Sequence, residues 1–152
     1  MTLRMSYEVE AEALFRAFAK RHSLEIVKSN QSNIELLMTV TKQSGLSFDL
    51  ALGLQNLDEL NIGIGRFWSY FFPYQSKANE VDFILDGIVY GTCRLRKLTQ
   101  FGKIRRQYLE VKREQKWEAA YATMDRFSWP FFSYSSEIIS NKDRVSKSES
   151  VG

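Results

Sequence analysis

The chain has 152 residues, of which 44% are hydrophobic and 14% aromatic, a composition typical of one globular domain. Its single cysteine and single histidine exclude an intrachain disulfide and a zinc site of the usual cysteine and histidine type within the chain. The net charge of +3 is unevenly distributed, because residues 92–116 carry nine Lys or Arg against two Glu.

The first residues and the hydropathy pattern predict a cytoplasmic protein. Glu8 and Glu10 stand where a signal peptide would be apolar, and no apolar run reaches the roughly 18 residues that a spanning helix needs. A lone thiol fits a reducing compartment. We therefore expect no membrane insertion.

Apolar residues recur at helical spacing from Tyr7 to Phe18, after a candidate N-cap at Ser6. Lys20 and Arg21 then suit the negative end of a helix. These features predict a helix over residues 7–22. Alternating apolar residues next predict four strands joined by short turns. The first begins with Leu24 and Ile26 and ends at the turn of residues 29–33, and the others lie over residues 34–40, 46–54 and 60–64. Because the turns are short, neighbouring strands should pair antiparallel as a meander.

The third predicted hairpin suggests a register in which Gly53 faces Gly63 and Phe48 meets Trp68. This register places large apolar side chains on one side of the sheet. It leaves a smooth surface on the other side, formed by Ala51, Gly53, Gly63 and Gly65. Glycine weakens a strand unless something approaches its backbone closely. Either a helix packs on this surface, or a small ligand binds there in an open cavity.

A second apolar stripe, from Ser76 as N-cap to Gly91 as C-cap, predicts another helix. Strands are predicted over residues 92–98 and 104–111. Residues 116–124 fit a helix or a strand, and their alternation favours the strand. The polar residues 140–152 should form a disordered tail. The expected fold class is α+β, with two helices packed on an antiparallel sheet of about seven strands in the order α-β-β-β-β-α-β-β-β, in one domain over residues 1–139.

Two aromatic segments, residues 67–74 and 127–134, each follow a helix and a run of strands. They suggest an internal repeat, which equal strand order in the two halves would support. The pattern Phe67-Trp68 with Phe71-Phe72-Pro73, followed by basic strands and Trp129-Pro130-Phe131, resembles small uncharacterised bacterial proteins over residues 48–132. The resemblance carries over no activity, cofactor or catalytic residue.

Few residues offer catalytic chemistry. We expect His22 to cap a helix or meet solvent, and Cys93 to be a small core residue. Asp82 and Asp86 share a helix face, which we interpret as solvated. The chain has no phosphate-binding glycine loop and no nucleophile elbow. We therefore assign no catalytic residue, metal site or cofactor.

The basic strands are the clearest surface signal. Candidate partner-binding residues are Arg94, Arg96, Lys97, Arg105 and Arg106. They suit an acidic protein partner, or single-stranded nucleic acid, although aromatic residues are sparse within the run. They also suit a merely solvated strand pair, because Lys and Arg protect sheet edges. Our leading hypothesis is a non-enzymatic interaction module, and the first alternative is a small-molecule-binding domain that uses the glycine surface.

Overall fold

The computed structural model describes residues 3–125 and 132–143, and these residues form an α+β fold. The two helices are α1 (Leu3–Arg21) and α2 (Tyr74–Tyr90). Nine strands within the described residues form two antiparallel sheets of five and four strands. The predicted fold class is therefore confirmed, although the strands divide into two sheets.

The first sheet is a meander in which each strand pairs with the next along the chain. Its strands are β1 (Val27–Lys28), β2 (Leu36–Val40), β3 (Leu50–Gln55), β4 (Glu59–Ile64) and β5 (Phe67–Trp68). The first predicted strand, from Leu24 to the turn at residues 29–33, is shorter than expected, because the pairing with β2 begins at Val27.

The second sheet has the strand order β8-β7-β6-β9. Its strands are β6 (Cys93–Gln100), β7 (Lys103–Arg113), β8 (Lys116–Met124) and β9 (Ser135–Ile139). The preference for a strand at residues 116–124 is confirmed. The final strand returns to pair with β6, whereas the first sheet is sequential. The two halves therefore differ in strand order, which argues against the proposed repeat; residues 126–131 of the second aromatic segment lie outside the described part.

The core lies between the helices and one face of the first sheet. Both helices contact this sheet, and α2 also contacts β6, so α2 joins the two sheets. The largest fully buried side chains include Phe15, Phe18, Leu36, Met38, Leu52, Leu54, Ile62 and Ile84. Each such side chain contributes about 1.5–3 kcal/mol when it leaves water, so this layer holds the fold together.

The register of the β3–β4 hairpin differs from the predicted one. Gly63 pairs with Ala51, and Gly53 pairs with Asn61, a shift of two residues. The turn lies nearer to β3 because Asn56 and the residue after it adopt positive φ angles, a conformation that Asn tolerates. A shift of two preserves which side chains share a face, because side chains alternate with a period of two. The predicted contact partner of Trp68 was wrong, since Trp68 pairs with Gly63.

The ends of two predicted segments also change. Helix α2 begins at Tyr74 after Pro73, so the predicted N-cap Ser76 lies inside its first turn, while Gly91 ends the helix in the left-handed conformation as expected. The predicted tail starts at residue 140, yet Asn141 is fully buried. Asn141 therefore departs from the predicted disordered tail, of which residues 144–152 lie outside the described part. Among the described residues, no helix is both long and apolar enough to cross a membrane.

Candidate functional site

Cross-strand pairing in the second sheet gathers arginine and aromatic side chains on one side. Arg94 lies opposite Glu110, Arg96 opposite Tyr108, and Leu98 opposite Arg106. Paired residues in antiparallel strands point to the same face of the sheet. We call this surface the arginine–aromatic face; it consists of Arg94, Arg96, Arg106, Tyr108, Glu110, Lys112, Trp117 and Tyr134.

Each of three arginines on this face lies over an aromatic ring. The guanidinium carbon of Arg94 is 3.9 Å from the centre of the Trp117 ring. The corresponding distances are 4.7 Å from Arg96 to Tyr108 and 5.4 Å from Arg106 to Tyr134. Cations within about 6 Å of a ring centre are attracted by its π electrons. The aromatic rings therefore hold the three guanidinium groups close to the sheet.

A buried carboxylate fixes two of these arginines. Glu110 is almost fully buried, and its Oε1 atom accepts a hydrogen bond of 2.8 Å from Arg96 Nε. Arg94 Nε lies 3.5 Å from the same oxygen. A buried carboxylate is stable only when it is paired. The fold therefore requires the Arg94 and Arg96 guanidinium groups to stay beside Glu110. Glu110 also removes one unit of charge from the face.

The structure brings together three of the five predicted partner-binding residues and separates the other two. Lys97 pairs across the sheet with Gln107, on the opposite side from Arg96. Arg105 is on that opposite side as well, where its Nη1 atom bonds Asp125 at 2.9 Å. The Arg105 side chain is only 11% exposed. The five residues predicted for partner binding therefore lie on two sides of the sheet, because alternation along a strand sends neighbouring basic residues to opposite faces. Their role in partner binding stays a prediction.

Two exposed aromatic rings meet at the tip of the β6–β7 hairpin, Phe101 from the turn and Phe132 from the residues before β9. Phe101 is 63% exposed and Phe132 is 54% exposed, and their ring centres are 5.1 Å apart. The main-chain oxygen of Phe132 accepts a hydrogen bond from Gln100 Nε2, and Tyr134 follows two residues later. Because Tyr134 belongs to the arginine–aromatic face and lies two residues after Phe132, the hairpin tip adjoins that face.

The glycine surface of the first sheet is covered by an indole ring. A Cβ atom on Gly63 would lie 2.7 Å from Trp68 Cε3, and one on Gly53 would lie 3.1 Å from Trp68 Cη2. Real Cβ atoms essentially never approach another atom within 3.0 Å. The indole can therefore lie against the sheet because these positions lack side chains.

An open cavity of about 560 Å³ adjoins this ring. We call it the glycine groove; its walls include Ile34, Leu37, Ala51, Gly63, Gly65 and Trp68. The expectation that a helix covers this surface was wrong, because the helices pack on the other face, where Leu52 and Ile62 are buried. Gly65 lies in the turn after β4 with φ of 58°, so it forms the rim of the groove.

The only histidine links the two helices. His22 is buried, and its Nε2 atom lies 2.6 Å from Asp86 Oδ1. Arg21 bonds Asp82 at 2.7 Å and Asp86 at 2.9 Å. The expectation that His22 meets solvent was therefore wrong. The aspartate face is partly solvated, since the Asp82 and Asp86 side chains are 38% and 34% exposed, although both also pair with Arg21. Burial alone would raise the pKa of Asp86, but hydrogen bonds from His22 and Arg21 outweigh it and hold that pKa below its usual value.

Cys93 is a core residue, as expected. It is buried, and burial raises the pKa of its thiol to about 12. Nucleophilic cysteines act as thiolates, so this one is chemically inert near neutral pH. In the part of the chain that the structure describes, no group of three or more His, Cys, Asp or Glu side chains could hold a metal ion.

Sequence patterns contained part of this information. The alternation of Arg94 with Arg96 indicated a shared face, but the aromatic partner Trp117 lies two strands away and its position depends on the register.

Comparison with known proteins finds no matching family model, no matching curated protein and no matching solved structure.

Proposed function

We propose that this protein is a non-enzymatic interaction module that binds an acidic macromolecule through the arginine–aromatic face. The observation that carries the proposal is the set of three arginines that are each held over a ring on one side of the second sheet. Fixed cations lose little side-chain freedom on binding, which favours association with a polyanion.

The face is accessible to a large partner. Met124, the cross-strand neighbour of Arg106, is 68% exposed, and the Arg96 side chain is 34% exposed. Interfaces are enriched in Arg, Tyr and Trp, which are the side chains that this face presents. The single cysteine and the single histidine are both occupied, because the Cys93 thiol is buried and His22 lies against Asp86. These contacts fit a binding role better than a catalytic one.

Matched charge reversal tests this proposal. The variant Arg96→Glu/Arg106→Glu changes the net charge by the same amount as Lys20→Glu/Lys42→Glu, in which both lysines are exposed and lie far from the second sheet in sequence. Retention on an immobilised polyanion is measured along a salt gradient. The arginine variant should elute at clearly lower salt than the lysine variant, because only it disrupts a cluster of fixed cations.

Equal elution of the two variants would show that net charge alone governs binding, and the proposal would fail. Circular dichroism at each salt concentration establishes that both variants remain folded. The arginine changes leave Glu110 with Arg94 as a neighbouring cation, so the buried carboxylate keeps one partner.

A second candidate function is small-molecule binding in the glycine groove. The favouring observation is the open cavity of about 560 Å³ beside Trp68, within the usual size range of ligand sites. The Nε1 atom of Trp68 donates a hydrogen bond to Gln55 Oε1 at 3.2 Å, which fixes the wall of the groove. Screening small ring compounds by NMR should shift the Trp68 indole resonance, and Ala51→Leu should suppress the shift by filling the floor. A compound that shifts the Trp68 indole resonance equally in the native protein and in the Ala51→Leu variant would refute binding in the groove.

A further inference from the structure

We propose that the acidic partner of the arginine–aromatic face is single-stranded nucleic acid. This inference rests on the proposed function and adds the chemical class of the partner. A nucleic acid strand presents two features at once, phosphate charges and flat bases. The face and the adjoining hairpin tip present a complement to both features.

The stacked arginines suit bases as well as phosphates. Unstacked bases pack on arginine planes and aromatic rings alike, and this face presents both kinds of group. The Arg94 guanidinium carbon is 3.9 Å from the centre of the Trp117 ring, so a cation and a ring lie in direct contact there. An acidic protein partner would use the same cations and bury the rings in its interface, whereas a single strand would stack its bases on them. Aromatic residues are sparse within the basic stretch of sequence, but the fold places Trp117 beside Arg94 and Tyr134 beside Arg106.

Phe101 breaks local rules in a way that favours a stacking role. It occupies a hairpin turn with φ of 53°, a left-handed conformation that Asn or Gly would adopt more easily. Its ring is also largely in solvent, against the hydrophobic effect. Leu57 shows the same strain and exposure, so what distinguishes Phe101 is its aromatic ring, which lies 5.1 Å from the exposed Phe132 ring.

The charges on the face set the expected salt dependence. Arg94, Arg96, Arg106 and Lys112 supply four cations, and Glu110 offsets one of them. For a single strand, the logarithm of the binding constant falls by about 0.7 per neutralised phosphate for each unit of log salt. Three net contacts give a slope of about −2, so tripling the salt should weaken binding about tenfold.

The test uses fluorescence anisotropy with a labelled single-stranded oligonucleotide of about twelve nucleotides, within the usual range of site sizes. Polyglutamate of similar charge serves as a competitor that has carboxylates but no bases. Phe101→Asn removes the exposed ring and suits the turn, so it should leave the protein folded. Leu57→Asn is the matched control, because Leu57 is also an exposed apolar residue at a hairpin turn, with φ of 76°.

We expect the oligonucleotide to bind with the stated salt dependence and to resist competition by polyglutamate. Phe101→Asn should weaken its binding about fivefold or more, as expected for loss of one base stack, whereas Leu57→Asn should not. If polyglutamate competes equally and Phe101→Asn binds normally, the nucleic acid inference is wrong and the proposed function stands. If neither polymer binds at low salt, both fail.

Discussion

Asn141 should be a major contributor to stability, although the sequence places it in a polar tail. Its Oδ1 atom accepts a hydrogen bond from Ser47 N at 2.9 Å, and its Nδ2 atom donates to Gly45 O and Val89 O, both at 2.7 Å. The side chain is fully buried. One amide therefore joins the β2–β3 loop, the end of α2 and the residues that follow β9.

The cost of Asn141→Ala follows from these three bonds. Each intramolecular hydrogen bond contributes about 1 kcal/mol, and a buried carbonyl left without a partner costs about 1–3 kcal/mol. We expect a loss of about 3–5 kcal/mol in the free energy of unfolding. For a domain of this size, such a loss lowers Tm by about 10 °C.

Thermal and denaturant unfolding followed by circular dichroism measure this effect. Asn141→Asp provides a nearly isosteric second variant. In the native protein the Nδ2 atom of Asn141 donates to the Gly45 and Val89 carbonyls, whereas in the variant a carboxylate oxygen faces them. It should be at least as destabilising as the alanine variant, because it adds a buried charge. Asn33→Asp, at an exposed position, is the control. A change below about 0.5 kcal/mol in both Asn141 variants, the usual range for surface substitutions, would refute the reasoning.

Three further predictions concern other described contacts. Gly63→Ala should destabilise the fold by about 1–3 kcal/mol, because the new methyl group would overlap the Trp68 indole. Asp86→Asn should lower stability at neutral pH, and its deficit should shrink as the pH falls below the usual aspartate pKa of 3.8. The sign follows from the lowered pKa of folded Asp86, whose contribution is present above the unfolded pKa and disappears on acidification. Cys93 should resist a thiol-reactive probe at pH 8 until the protein unfolds, since its pKa is about 12.

Each of these predictions has its own check. In a Trp68→Ala background, Gly63→Ala should cost much less, and an unchanged cost would show that the overlap with the indole is not the cause. Stability curves from pH 2 to pH 7 test Asp86→Asn, and a deficit that is constant with pH would contradict the ionic contribution. Rapid labelling of native Cys93 would contradict its burial.

The periodic elements of the fold were predictable because their patterns are local. The helical spacing that ends near Phe18 and the strand alternation from Leu36 to Val40 both match the structure. Strand β9 was not predicted, since Ser135–Ile139 pairs with β6 across a long separation and has little pattern of its own. The sequence also did not determine which face of the first sheet the helices cover, because a helix could equally have packed on the glycine surface.

The candidate site shows the same limit. The shared orientation of Arg94 and Arg96 followed from alternation along one strand. The burial of Glu110 between them, and the position of Trp117, depend on the pairing of three strands. His22 and Asp86 are 64 residues apart, so their contact follows from helix packing rather than from any local spacing.

The position of β9 has a consequence for synthesis of the protein. Asn141 bonds Ser47 across 94 residues of chain, and β9 completes a sheet that began with β6. Contacts this distant in sequence close slowly, because loop entropy is lost before the contact is made. While the chain emerges from a ribosome, the edge of β6 that β9 later covers therefore stays open until residue 139 is released. During that interval the unpaired edge of β6 is available to other strands, and this makes it the point where aggregation of the nascent chain should begin.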